Sequence, residues 1–175
     1  MLPDETYIME SKKIAQYLEE KHPSPPLHLN APELAKLESL LPALHTRDSL
    51  VRVYFPLVPQ RILSGYSQEY WRRTREEWIG QSIPDFERTS TLEQAFEASA
   101  PILKQVTELL QSKPEGPFFL GKTVSYVDFV WGAYFLWMRE MGDEVFDLFV
   151  RATGDAEANL DFFRALSEWW GRNDH

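Results

Sequence analysis

The segment Val124-Ser125-Tyr126-Val127-Asp128-Phe129 constrains this chain more than any other. Ser125 and Asp128 have the spacing of a capping box, in which an N-cap hydroxyl and a carboxylate three residues on satisfy orphan backbone N–H groups at a helix start. Asp stands where Glu is usual, and Val124 and Phe129 are placed to staple the entering chain. The run that follows, to about Met138, is apolar on nearly every face. A helix without a polar face is a buried helix, so other elements must surround it. Ser125 and Asp128 are therefore read as folding determinants. Trp131, Tyr134, Phe135 and Trp137 are read as mostly core, with one of Tyr134 and Trp137 placed to reach a cleft, since buried O–H and N–H groups need partners.

The surrounding elements also read as helices. Ser11 is placed to cap Lys12–Lys21, whose Ile14, Tyr17 and Leu18 share a stripe, and Pro23-Ser24-Pro25-Pro26 stops it. Asn30 is placed to cap a helix with Pro32 in its first turn and Leu34, Leu37, Leu40 and Leu41 at helical spacing. Pro42 kinks or breaks that helix, and Pro56 and Pro59 end it. Ser67–Ile79 with Gly80 as C-cap, Ser90 or Thr91 to Gln111, Glu144–Arg151 and Glu157–Trp170 complete the set. Thr6–Met9 reads as a short strand. The expected fold is an all-α bundle of six or seven helices around one fully buried helix.

Composition narrows the function. The chain has 175 residues, no cysteine and a net charge of −9. Thiolate chemistry and disulfide staples are excluded, and an acidic chain disfavours nucleic acid. Met1-Leu2-Pro3-Asp4-Glu5 lacks the charged and apolar regions of a signal peptide, and no apolar run approaches the roughly 20 residues a bilayer needs. A cytoplasmic protein without membrane contact is expected. His22, His28 and His175 have no ligand spacing, so no metal site is expected. His45 and Asp48, three apart, are a candidate base pair or an ordinary surface pair. The segment Val51–Trp78 sets five arginines against three glutamates within this acidic chain. Tyr54, Phe55, Tyr66, Tyr70 and Trp71 interleave with Arg52, Arg61, Arg72, Arg73 and Arg75. This is either an aromatic pocket with convergent polar groups or a solvated face with Glu69–Arg72 and Glu69–Arg73 pairs. The last helix, through Phe162, Phe163, Trp169 and Trp170, is read as ordinary packing rather than a lid.

Thr6–Glu19 resembles the last strand and last helix of the thioredoxin-like half of a glutathione transferase. There, an acidic residue followed by Ser holds the γ-glutamyl end of glutathione, which makes Glu10 and Ser11 the cofactor-binding candidates. Phe118-Phe119-Leu120-Gly121 and Ser125-Tyr126-Val127-Asp128 resemble the capping region of that family's helical C-terminal domain. Tyr70–Gly80 is similar to a stretch of β-etherase-like fungal and bacterial transferases. The resemblance divides the chain into a remnant at 1–26 and a glutathione-transferase C-terminal-like helical bundle at 27–175. It implies that the residues activating the glutathione sulfur belong to a half absent from this chain. No cofactor is then expected, glutathione entering only if that half is supplied. It implies further that Val51–Trp78 lines a hydrophobic cleft, with Tyr54, Arg61, Tyr66 and Arg72 as catalytic donors. Phe55, Tyr70, Trp71, Arg75, Tyr134 and Trp137 would be the substrate-binding residues. Three functions follow from the resemblance. One is a protein that binds and transforms an aromatic or polyketide-type metabolite without activating glutathione, by isomerisation, elimination or cyclisation. The second is a conventional transferase fragment needing its missing half, and the third is a non-catalytic interaction module. A homodimer is compatible with each.

Overall fold

A computed structural model of the chain describes residues 7–170. Helix α7 (Tyr126–Glu140) organises it, and its capping box forms. Asp128 is fully buried and accepts three hydrogen bonds: Phe119 N–H at 2.9 Å, Ser125 N–H at 2.8 Å and the Ser125 hydroxyl at 2.7 Å. The box thus also fastens the preceding Phe118–Gly121 loop to the helix start. Trp131, Phe135 and Met138 are wholly buried. Phe135 sits among Phe149, Phe163, Phe162 and Trp131, ring centroids 5.0, 5.2, 5.8 and 5.8 Å away. The expectation of burial on every side fails along one stripe, where Ala133 and Trp137, one turn apart, are exposed. An apolar stripe left open on a central helix marks a cleft wall rather than a packing face.

Helix α6 (Leu92–Leu110) starts at a Thr91–Gln94 capping box and packs on α2 (Pro32–Leu44) and α8 (Asp143–Ala152). The all-α architecture is as expected, with more and shorter helices than six or seven. Among the described residues the β pairing consists of the isolated bridges Phe118–Gly121 and Leu120–Thr123. Tyr7–Met9 form no strand, and Thr6 lies outside the described residues. Ser11 is the first residue of α1 (Ser11–Lys21) rather than its cap, which is Glu10 at φ 75°. Ala31, not Asn30, is the N-cap of α2. Helix α1 is tied down by the Lys12–Glu38 ion pair at 2.7 Å, and Glu19 accepts the Leu27 N–H at 2.7 Å. The expected last helix is two, α9 (Ala156–Ala165) and α10 (Ser167–Trp170). Trp170 stacks on Phe163 at 4.4 Å and Trp169 meets Phe118 and Phe129, so these rings pack on the bundle as expected.

The largest departure lies in the middle of the chain. Pro42 sits in the last turn of α2, which stops at Leu44, and α3 (Val51–Arg61) runs through Pro56 and Pro59 instead of ending there. Each proline removes one donor to the carbonyl four residues back. For Pro59 that carbonyl is Phe55 O, and it accepts the Trp71 indole N–H at 3.2 Å instead. Trp71 belongs to α4 (Tyr66–Ile79), which ends at Gly80 in the left-handed conformation, φ 73°, a backbone state that suits glycine. A short α5 (Ile83–Glu87), not anticipated from the pattern, folds under α3. Val51, Phe55, Ile79, Ile83 and Phe86 then form a second small core beside the main one. No described helix is long and apolar enough to cross a membrane.

Candidate functional site

The end of α2, α3, α4 and α7 enclose a cleft of about 370 Å³, lined by His45, Tyr54, Trp71, Ala133, Tyr134, Trp137 and Met138. Each element contributes for a local reason. Helix α2 stops at Leu44 and leaves His45 at the rim. Tyr54 projects from α3, and Trp71 is held to α3 by its indole bond. The open apolar stripe of α7 forms the opposite wall. Arg75 lies over the Trp71 ring, 4.2 Å from its centroid, and 5.8 Å from that of Phe55, backing this wall with cation–π contacts.

The polar groups of the cleft form one unit. His45 Nδ1 is 2.6 Å from the Tyr54 hydroxyl and Nε2 is 2.7 Å from the Tyr134 hydroxyl. Desolvation holds the His45 pKa below its ordinary 6.5. Burial raises the Tyr54 hydroxyl above the usual phenol range, with Tyr134 adding to the rise and Arg75 opposing it. Burial also raises Tyr134 to about 12. All three groups are neutral near pH 7. The expected His45–Asp48 pairing does not form, because residues 45–50 leave the helix and Asp48 pairs with Arg52 at 2.7 Å.

Of the expected site residues, Tyr54, Trp71, Tyr134 and Trp137 line the cleft together. Phe55, one position from Tyr54, points into the second core and is 6% exposed. Tyr66 and Tyr70 are 81% and 52% exposed on α4, and Arg72 is exposed as well. Arg61 lies over Gly142, whose missing Cβ would sit 2.5 Å from its Nη1. None of Arg61, Tyr66, Tyr70 and Arg72 lines the cleft. Glu69 makes no ion pair with Arg72 or Arg73 among the described residues. Glu10 and Ser11 are exposed at the start of α1, away from the cleft lining. Ala133 and Met138 were not legible as lining, although their spacing from Tyr134 and Trp137 on one apolar helix is the signal that identifies them. A wider hollow of about 880 Å³ beside Lys12, Glu19, Glu33 and Lys113 is edged by charged side chains and lacks an aromatic wall.

The described fold is an all-α bundle around a capped central helix that carries an aromatic cleft. The family model described as "Glutathione S-transferase, C-terminal domain" matches residues 42–150, and the chain belongs to that family. The fold is similar to the crystal structure of glutathione transferase GSTFuA2 from Phanerochaete chrysosporium. That likeness has a TM-score of 0.64 and 21% identity, covering 99% of this chain and 70% of that one. No curated protein matches the chain.

Proposed function

We propose that this glutathione-transferase-like chain binds a planar aromatic or polyketide-type metabolite in the cleft between α3, α4 and α7. The observation that carries this reading is the open stripe of α7. Ala133 and Trp137 stay uncovered on a helix whose Trp131, Phe135 and Met138 are wholly buried, and Trp71 lines the same cleft. Flat aromatic walls with one convergent polar unit suit a ring system bearing a single polar group. Within this proposal the helical domain at 27–175 supplies the hydrophobic-substrate side, and residues 1–26 correspond to the end of a thioredoxin-like half. The β-etherase-like affinity of Tyr70–Gly80 belongs to the same proposal. Glutathione enters only together with a thioredoxin-like half, through Glu10 and Ser11. Proton donors in the cleft, rather than a thiolate, are the groups available for an isomerisation, elimination or cyclisation.

The test is titration with 2-ethylnaphthalene followed by the methyl resonances of Ala133 and Met138. Both shift on binding, and Ala133→Trp, which fills the cleft, weakens binding by at least ten-fold. Shifts confined to other methyl groups, or unchanged affinity in Ala133→Trp, overturn the reading.

A further inference from the structure

Neutral imidazole carries one N–H and one bare nitrogen, and each ring nitrogen of His45 faces one hydroxyl. The unit therefore holds three protons, one on the ring and one on each tyrosine. Two of them fill the two hydrogen bonds. Whichever hydroxyl accepts from the ring N–H keeps its own proton unused, and neither hydroxyl has another partner among the described residues. With the proton on Nδ1, Tyr134 donates to Nε2 and the Tyr54 O–H is left over. With the proton on Nε2, Tyr54 donates to Nδ1 and the Tyr134 O–H is left over. Both tyrosines line the cleft, so the spare donor serves it in either case.

We infer that Tyr54, His45 and Tyr134 act as a single-donor anchor that selects aromatic ligands bearing a ring-conjugated carbonyl oxygen, the donor passing between the two tyrosines with the histidine tautomer. The inference rests on the cleft being the ligand site. A carbonyl oxygen accepts the spare proton, whereas an apolar ligand of the same shape leaves that donor unpaired. The Arg75 charge behind Trp71 favours the same negative end of the ligand dipole. The two arrangements contain the same protons, so binding a carbonyl moves no net charge.

The redundancy gives a signature that a merely structural triad lacks. Tyr54→Phe leaves the Tyr134 donor, and Tyr134→Phe leaves the Tyr54 donor, so each single variant keeps the preference. Only Tyr54→Phe/Tyr134→Phe removes both hydroxyls. The probes are 2-acetylnaphthalene and 2-ethylnaphthalene, close in shape and differing in the oxygen. The wild-type protein is expected to bind the ketone about five-fold more tightly, the fold-change of one net hydrogen bond. The single variants keep that ratio within two-fold, and the double variant combined with His45→Leu, which leaves no O–H or N–H of the unit in the cleft, brings it to about one. The carbonyl stretch of bound 2-acetylnaphthalene moves to lower wavenumber in the wild-type protein. In the ketone complexes, ¹⁵N resonances place the His45 proton on Nε2 in Tyr54→Phe and on Nδ1 in Tyr134→Phe. Equal binding of the two probes with an unshifted carbonyl band overturns the anchor while leaving the cleft as a ligand site. Binding of neither probe to the wild-type protein overturns the cleft and the anchor together.

Discussion

Replacing Asp128 with Ala strips the acceptor from three donors at once: the N–H groups of Phe119 and Ser125 and the Ser125 hydroxyl. Phe119, Ser125 and Asp128 are at most 1% exposed, so water does not take over these donors without opening the fold. An orphaned buried donor costs about 1–3 kcal/mol. Two backbone donors at about 2 kcal/mol each and a rotatable hydroxyl at about 1 kcal/mol bring the loss to about 5 kcal/mol. Part is recovered, because the variant no longer buries a carboxyl whose pKa desolvation pushes above its ordinary 3.8. The net expectation is a destabilisation of about 3–4 kcal/mol, a large share of the 5–15 kcal/mol typical of a domain. With a urea slope of about 2 kcal/mol/M, the midpoint followed by far-UV circular dichroism falls by about 1.5–2 M. Ser125→Ala removes only the hydroxyl and costs about 1 kcal/mol, and Asp128→Asn, which keeps one acceptor oxygen, lies between the two. If the Asp128→Ala midpoint stays within about 0.5 M of the parent, or falls less than that of Ser125→Ala, the carboxylate is not what fastens the loop to α7.

Three further outcomes are expected. Phe135→Ala empties the centre of the aromatic cluster and lowers stability by about 3–5 kcal/mol in the same assay, and a loss below 1 kcal/mol would mean the cluster collapses freely around the gap. Trp71→Phe keeps the ring but drops the bond to Phe55 O, lowering stability by about 1 kcal/mol and 2-ethylnaphthalene affinity by a few-fold; unchanged values for both would show that the bond positions nothing. As pH falls below about 6.5, the unfolded chain protonates His45 before the folded one, whose pKa burial depresses. Stability therefore declines through that window, and His45→Gln removes this part of the slope; parallel melting-temperature declines between pH 7.5 and 5.5 in both proteins would contradict it.

Much of the fold could be read from local chemistry. The Ser125–Asp128 box and the Gly80 C-cap act over three or four residues, and both stand as the pattern implies, while the helix start expected at Ser90 or Thr91 falls at Thr91. The middle of the chain departs from the pattern because a proline's effect depends on what else satisfies the carbonyl it abandons. For Phe55 O that partner is Trp71, sixteen residues away. His45 likewise leaves the helix that spacing implies beside Asp48, and its partners lie at Tyr54 and, 89 residues on, at Tyr134. Alternation of arginines and aromatics located the cleft wall without separating its faces. On a helix, adjacent residues such as Tyr54 and Phe55 diverge by about 100°, so one reaches the cleft and the other the second core. Helix α4 likewise turns Trp71 inward while Tyr66 and Tyr70 face water.

Pro59 sets local helix quality against the shape of the cleft. An interior proline is about 3 kcal/mol poorer than Ala in intrinsic helix preference, so Pro59→Ala is the kind of replacement that selection for heat resistance favours. The new N–H would point at Phe55 O, the atom that now holds the Trp71 indole in register. A lineage or a library optimised only for melting temperature would then drift toward a better helix and a looser wall. It would shed ligand affinity at a position that touches no ligand, before any residue of the cleft had changed.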